Sequence, residues 1–314
     1  MRIVFAGTPA AAVPSLDALH ADHDIVAVLT RPDAPVGRRR VLTPSPVKSR
    51  AEELGLPVLE ASRLRGEVLG ELEALGADAV AVVAFGAIAG PRALATSRLG
   101  WFNLHFSLLP QYRGAAPVQR ALMAGRRRSG LTVFRIDEGM DTGPVVLQRA
   151  LDLPTADAGT VLAEYAETGA DLLAEAFALL EAGEHTLTPQ SGAASHAQKL
   201  DPSEAQLDFT RPADEVLARY RGVSPSPGAW ATIAGQRTKL AGLAPARPDD
   251  HVPRPGEIAA VPDGTVIGTG DGAVRIDGIQ PAGKPMRAVA EFLRGRPDAA
   301  FDLDDDARDG DHDG

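Results

Sequence analysis

An α/β fold of Rossmann type is predicted for the first two-thirds of this chain, followed by a small β-barrel. Three observations predict it. Apolar runs alternate with segments of helical spacing from residue 2 to residue 182. Past about residue 206 the texture changes to short β-prone runs punctuated by Pro and Gly. At 314 residues the chain also exceeds one ordinary hydrophobic core.

Residues 2–6 form an apolar run ending at Gly7, and Val13, Leu16 and Leu19 follow at helical spacing within 12–20. Residues 24–30 supply the next apolar run. The chain thus opens strand, helix, strand, with both strands apolar along their length, as in a parallel sheet covered on both faces. The turn Gly7-Thr8-Pro9-Ala10-Ala11 lacks the second and third glycines of the dinucleotide fingerprint, which argues against a nicotinamide cofactor. Residues 31–48 carry Pro32, Pro35, Gly37, Pro44 and Pro46, too broken for a helix or a long strand, so a functional loop without regular structure is expected. A helix is predicted over 47–54, a short strand over 57–59, a helix over 68–75, and an apolar central strand over 78–85. That strand ends at Gly86, where a ligand can approach the backbone. Residues 100–104 predict a strand that delivers Asn103 and His105 to its carboxyl end, where open α/β sheets place their ligands. A helix over 117–124, strands over 131–136 and 145–151, and a long amphipathic helix over 159–182 follow. Residues 183–202 are polar and turn-rich, as in a linker. Beyond it, strands are expected over 230–233, 238–243, 257–261, 265–268 and 273–279, with a closing helix over 286–294.

With 44% apolar and 24% charged residues the composition is that of a soluble globular protein. No apolar run approaches the ~20 residues a membrane helix needs, and the opening residues enter a strand instead of a signal peptide. A cytoplasmic protein without a membrane partner is expected. The absence of cysteine excludes disulfides, thiolate catalysis and Cys-ligated zinc. The seven histidines are scattered, with no His-x-x-x-His pair, so no metal is expected. Net charge is −10, but seven aspartates from Asp302 to Asp313 against Arg308 concentrate −6 of it at the end, in a segment expected to be a disordered tail. Arg31, Arg38, Arg39, Arg40, Lys48 and Arg50 against Asp33 give residues 31–50 about +5, and Arg126, Arg127 and Arg128 form a second cluster. Charge is therefore local, and a polyanionic partner fits one part of the surface.

The chemistry-bearing residues are Asn103 and His105, followed by Ser107-Leu108-Leu109-Pro110, and later Asp141-Thr142-Gly143. An amide can hold a carbonyl oxygen, an imidazole can move a proton or stabilise an oxyanion, and a carboxylate can orient the imidazole. Together they suit acyl transfer to an amine. A lone histidine after a strand is ordinarily a packed or surface residue; the ordered series gives His105 its weight.

That series continues across the chain. It comprises residues 4–9 (VFAGTP), Arg31-Pro32-Asp33 with residues 44–48 (PSPVK), residues 103–117, and Met140 through Gly143. It runs on through Arg221-Gly222, residues 227–230 (PGAW) and residues 280–284 (QPAGK). In these motifs the chain resembles the methionyl-tRNA formyltransferase family from Met1 to about Pro297. The resemblance implies a Rossmann-like formyltransferase domain over residues 1–190, which binds 10-formyltetrahydrofolate as co-substrate. A linker over 191–205, an OB-like tRNA-binding domain over 206–300 and an acidic tail over 301–314 would follow. It implies formyl transfer to the α-amine of methionine on initiator methionyl-tRNA, without a catalytic metal, by an enzyme expected to be a monomer. Asn103 would hold the formyl oxygen, His105 would stabilise the oxyanion and assist proton transfer, and Asp141 would hold His105 in orientation. Phe85, Gly86 and Ile88 would line the pterin pocket, and Ser107, Leu108, Leu109 and Pro110 would face the folate. Arg38, Arg39, Arg40, Lys48, Lys199 and Lys284 would contact tRNA, with the basic insertion at 31–48 entering the acceptor stem. Enzymes that formylate glycinamide ribonucleotide or amino-sugar nucleotides share the first domain; the basic insertion and the extra barrel together set this chain apart. Trp101, Phe102, Phe106 and Met140 depart from the residues usual at those positions and bear on pocket shape.

Overall fold

The computed structural model of the chain describes residues 1–303 except 38, 295, 297 and 298. Its contacts divide it into two compact units. The first comprises Met1–Val118, Arg128–Leu153 and Thr160–Gln198; the second comprises Gln119–Arg127, Pro154–Gly159 and the chain from Lys199 onward.

The first unit begins with β1 (Arg2–Gly7), α1 (Val13–Asp22) and β2 (Asp24–Thr30). A hairpin follows, β3 (Ala34–Val36) and β4 (Val41–Thr43), then α2 (Pro46–Glu53), β5 (Val58–Glu60), α3 (Glu67–Leu75) and β6 (Ala79–Val83). The short α4 (Pro91–Leu94), β7 (Gly100–His105) and α5 (Pro117–Met123) lead to β8 (Arg128–Arg135), β9 (Val145–Asp152) and the long α6 (Ala158–Ala182). Seven strands form one sheet in the order β5-β2-β1-β6-β7-β8-β9. The first five run parallel, β8 pairs antiparallel to β7, and β9 pairs antiparallel to β8, so the expected Rossmann-like parallel sheet ends in a mixed edge with only β8 reversed.

The chain builds outward from β1 to β5 on one side and then returns to β6 on the other. The crevice between the carboxyl ends of β1 and β6 is therefore the topological switch point. Both strands are apolar on both faces because helices cover each one. Phe102 meets Phe177 of α6 edge-on at 5.9 Å, while Val4, Val80 and Trp101 pack with Leu69 and Leu72 of α3. Trp101 is 1% exposed, so its bulk is absorbed by this core.

Residues 31–48 are more regular than expected, because β3 and β4 pair from Ala34↔Thr43 to Val36↔Val41. Pro35 is tolerated there because a two-stranded ribbon leaves each strand an edge that needs no donor. Ser45 caps α2, its hydroxyl accepting from the Lys48 N–H at 3.0 Å, and Pro46 takes the first helical position.

The second unit contains a helix that the spacing of Pro and Gly concealed, α7 (Ala213–Val223). Pro212 sits at its N-cap, and Val216, Leu217 and Val223 are buried along it, in a stretch whose texture reads as short strands. Two antiparallel sheets follow. β10 (Trp230–Ile233) and β11 (Gln236–Ala241) belong to one; β12 (Ala244–Pro245), β13 (Ile258–Val261), β14 (Gly264–Gly268) and β15 (Ala273–Arg275) form the other. β16 (Gly278–Pro281) and β17 (Arg287–Ala288) return to the first sheet, and α8 (Val289–Leu293) follows. The sheet orders are β10-β11-β16-β17 and β12-β15-β14-β13. Among the described residues no strand pairing closes them into the expected barrel. The strand expected over 273–279 breaks at Ile276-Asp277, where the chain changes sheets.

The tail boundary expected at residue 301 is also corrected. Phe301 is 3% exposed and packs its ring 4.8 Å from that of Phe209, and Asp302 accepts from the Ala234 and Gly235 N–H groups. An aromatic ring buried against a β-core outweighs the surrounding acidic composition. Residues 304–314 lie outside the described residues. No described helix is long and apolar enough to cross a membrane.

Candidate active site

Side chains two apart on a strand share a face. The Asn103-Leu104-His105 spacing therefore sends Asn103 and His105 to the same side of β7, at its carboxyl end. Asn103 lies opposite Val82 of β6, and His105 opposite Thr132 of β8. Asp141 arrives on the loop between β8 and β9, so the three residues expected to act together are held by the same unit.

The His105 ring is buried at 5% exposure and stands edge-on to Phe134 at 6.4 Å. Its Nε2–H donates to the Tyr112 carbonyl at 2.9 Å, since that oxygen can only accept. Its Nδ1 faces Asp141 Oδ2 at 3.7 Å, a distance for charge interaction but too long for a hydrogen bond. The Asp141 oxygen instead accepts from the Gly114 N–H at 2.7 Å. The bond that orients His105 thus comes from a backbone carbonyl, where the sequence suggested Asp141. Burial lowers the pKa of His105; the Asp141 charge and the Tyr112 bond oppose that shift. The ring is neutral near pH 7, with its proton on Nε2 and its Nδ1 lone pair directed toward a carboxylate. The Asn103 carboxamide makes no hydrogen bond among the described residues, which leaves its N–H groups available to an incoming carbonyl.

The loop after His105 is pinned from below. Thr132 Oγ1 donates to the Ser107 carbonyl at 2.7 Å and accepts from the Leu109 N–H at 3.2 Å. Gln148 Nε2 donates to the Leu109 carbonyl at 2.8 Å and to Thr132 Oγ1 at 3.0 Å. Ser107 Oγ donates to the Gln111 carbonyl at 2.6 Å, and the Leu109–Pro110 peptide is cis. Ser107, Leu109 and Pro110 are buried and Leu108 is half-buried. These residues set the course of the loop. Tyr112 and Asp141 both have positive φ, 57° and 53°, as does Ala84 at 48° beside the switch point. Non-glycine residues in this region cost energy, and such strain clusters where a site over-determines the backbone.

From above, the loop is strapped by residues 190–197, which composition alone marks as linker. Ser195 Oγ accepts from the Tyr112 N–H at 2.8 Å, and backbone bonds join Arg113 to Ser195 and Ala197. A Cβ at Gly114 would lie 2.7 Å from the Ala197 carbonyl oxygen, so this close approach requires glycine. Gln190 accepts from Arg113 Nη2 at 2.6 Å and Nε at 3.2 Å, and its Nε2 donates at 2.8 Å to both the Asp141 and Gly143 carbonyls. Neither Gln190 nor Ser195 carries a motif or periodicity that would single it out.

The other expected residues divide. Phe85 is 2% exposed and packs in the α3 core, so its side chain supports the switch point from within and cannot line an open pocket. Its carbonyl accepts from Thr8 Oγ1 at 2.9 Å, and that of Gly86 from Arg31 Nη1 at 2.8 Å. Ile88 is 90% exposed and Met140 67% exposed, whereas Phe106 is buried. Arg39 and Arg40 stand exposed at the turn between β3 and β4; Arg38 lies outside the described residues. Lys48 is engaged, its Nζ 2.7 Å from both Asp33 Oδ1 and Glu60 Oε1, which pushes its pKa upward. It ties down the hairpin base and is not a free cation. Lys199 and Lys284 are exposed in the second unit, and the Lys284 carbonyl accepts from Gln280 Nε2 at 3.0 Å.

Residues 1–177 match the formyl transferase family and residues 199–297 the formyl transferase C-terminal domain. Methionyl-tRNA formyltransferase of Arthrobacter sp. (strain FB24) is 49% identical over 299 residues, covering 94% of this chain and 97% of that protein. Among solved structures, HypX from Aquifex aeolicus superposes with a TM-score of 0.68 at 21% identity over 97% of this chain, which spans only 49% of that one. An N-formyltransferase from Helicobacter canadensis, bound to folinic acid and dTDP-3-aminofucose, gives a TM-score of 0.67 at 19% identity and covers 89% of this chain and 98% of its own. These structural likenesses establish the fold. With the sequence identity and both domain matches, the chain belongs to the methionyl-tRNA formyltransferase family.

Proposed function

We propose that this protein transfers the formyl group of 10-formyltetrahydrofolate to the α-amine of methionine on initiator methionyl-tRNA. The observation that carries this reading is the grouping of Asn103, His105 and Asp141 at the end of β7, in a chain 49% identical along nearly its full length to a methionyl-tRNA formyltransferase. The α-amine of an aminoacyl ester is less basic than a free amino terminus of pKa ~7.7 to 8.0, so much of it is already neutral near pH 7. It attacks the formyl carbon, and the Asn103 carboxamide donates to the oxyanion that forms. The neutral Nδ1 of His105 takes the proton released by the attacking nitrogen, and the Asp141 carboxylate stabilises the resulting imidazolium. As the bond between the formyl carbon and N10 breaks, that proton passes to N10, leaving tetrahydrofolate and the N-formylated ester. No metal takes part in these steps.

The folate would enter at the switch point, beside Gly86, Ile88 and the 107–110 loop, since open α/β sheets bind ligands there. We assign residues 1–190 as the catalytic domain and residues from 206 through at least Asp302 as an OB-like tRNA-binding domain. The exposed Arg39 and Arg40 supply phosphate contacts from the hairpin, and Lys199 and Lys284 supply them from the second domain. The test is single-turnover formyl transfer to methionyl initiator tRNA, beside methionyl elongator tRNA, glycinamide ribonucleotide and an amino-sugar nucleotide. Rapid formylation of the initiator alone is expected. Transfer only to a small amine would remove tRNA from the reading, and no transfer to any acceptor would leave a binding protein.

A further inference from the structure

We propose that Gln190 is a positioning residue for formyl transfer, a clasp that holds the Asp141–Gly143 turn to Arg113 and so keeps the Asp141 carboxylate opposite His105. This rests on the reading of His105 and Asp141 as the proton-handling pair. The clasp uses both ends of one carboxamide. Its oxygen takes two N–H groups of Arg113, in the loop that supplies the Tyr112 carbonyl to His105. Its nitrogen gives one hydrogen to the Asp141 carbonyl and one to that of Gly143, a two-donor role that only an amide of this length fills here. The turn needs such a brace. Asp141 sits at φ 53°, where a non-glycine residue is held only if its surroundings over-determine the backbone, and the turn runs so close to the Arg135 carbonyl that a Cβ at Gly143 would collide with it. Asp141 Oδ2 is already 3.7 Å from His105 Nδ1, and a shift of about 1 Å in a reacting group can cost about 100-fold in rate.

The experiment is a double-mutant cycle between Gln190→Ala and Asp141→Asn. It is read as kcat with 10-formyltetrahydrofolate and methionyl initiator tRNA both saturating, and as KM for each. Gln190→Ala should lower kcat roughly 10- to 100-fold, leave both KM values within about threefold, and cost less than about threefold more when Asp141 is already Asn. An equal loss in both backgrounds would mean that Gln190 does not act through Asp141, and near-parental kcat in Gln190→Ala would overturn the proposal outright. Gln190→Glu separates the two ends of the clasp. It keeps the acceptor for Arg113 but loses both donated hydrogens and sets a carboxylate against two carbonyls. It should be at least as impaired as Gln190→Ala, and parental turnover in it would show that only the Arg113 bond matters. Asp141→Asn alone tests the underlying reading: full activity there, with Gln190→Ala still impaired, would sink the catalytic assignment while leaving Gln190 important for another reason.

Discussion

The loop from Ser107 to Ala116 and the hairpin from Ala34 to Thr43 are both polar or basic excursions from strand ends, and they are built in opposite ways. The first is fastened from below by Thr132 and Gln148 and from above by Ser195 and the backbone of Ala197. The second is anchored at its base, where Lys48 meets Asp33 and Glu60 and Arg31 meets the Gly86 carbonyl, while Val36, Val41 and Leu42 stand more than half exposed. Moving a formyl group demands reacting atoms fixed to fractions of an ångström, which only dense bonding supplies. The phosphate contacts proposed for Arg39 and Arg40 need only exposed charge, because contacts to a nucleic-acid backbone position without reading sequence.

The contrast breaks most sharply in catalysis. His105→Ala and Asn103→Ala should each lower kcat by at least roughly 100-fold, with little change in KM for tRNA. Circular dichroism and thermal unfolding would verify that the fold persists. Turnover within a few-fold of the parent in either variant would remove that residue from the chemistry.

In the hairpin the opposite pattern is expected. Arg39→Ala with Arg40→Ala should raise KM for tRNA by roughly tenfold at physiological salt, leave KM for the folate unchanged, and flatten the salt dependence of binding by about two phosphate contacts. A fall in kcat with unchanged KM would place these arginines with the rigid loop instead.

A subtler difference lies in pH. Burial holds the pKa of His105 below its ordinary 6.5, so the unfolded chain binds its proton first as pH falls. The stability associated with the neutral ring is therefore intact above pH 6.5 and is lost as pH drops from there through the folded value. Urea unfolding at pH 7.5, 6.5 and 5.5 should show the parent losing more stability than His105→Gln across that range. Asp141→Asn removes a charge that raises this pKa and should move the acid limb of kcat to lower pH. An acid limb that stayed in place would show that Asp141 does not interact electrostatically with His105. Lys48, tied into an exposed pair of carboxylates, should give no corresponding pH signature near neutrality.

The smallest effect is expected at the hairpin tip. Leu42→Ser should leave unfolding free energy within about 0.5 kcal/mol, because Leu42 is 67% exposed, whereas Trp101→Ala in the sheet core should cost about 3–5 kcal/mol. Thermal and urea unfolding of the two variants side by side would check the ordering; a large loss at Leu42 would mean that the hairpin packs as tightly as the catalytic loop.

Much of this was legible in one dimension. Unbroken apolar runs mark buried parallel strands, so β1, β2 and β6 follow from composition, and the two-residue period of a strand is enough to put Asn103 and His105 on one face. The helix expected over 47–54 is α2, Pro46–Glu53, although its cap at Ser45 was not foreseen. The sequence missed α7, which lies in a stretch that reads as short β-prone runs, and the β3–β4 hairpin, whose Pro35 reads as a breaker. It also offered Phe85 to the ligand and Lys48 to RNA, when burial and two carboxylates had already claimed them. Only the tertiary structure decided that His105 is oriented by the Tyr112 carbonyl and that Gln190 and Ser195 fasten the loop around it. The physical reason is that a backbone acceptor has no residue identity to announce it. Gln190 reaches Asp141 across 49 residues and Ser195 reaches Tyr112 across 83, distances in the chain over which polar side chains show no period.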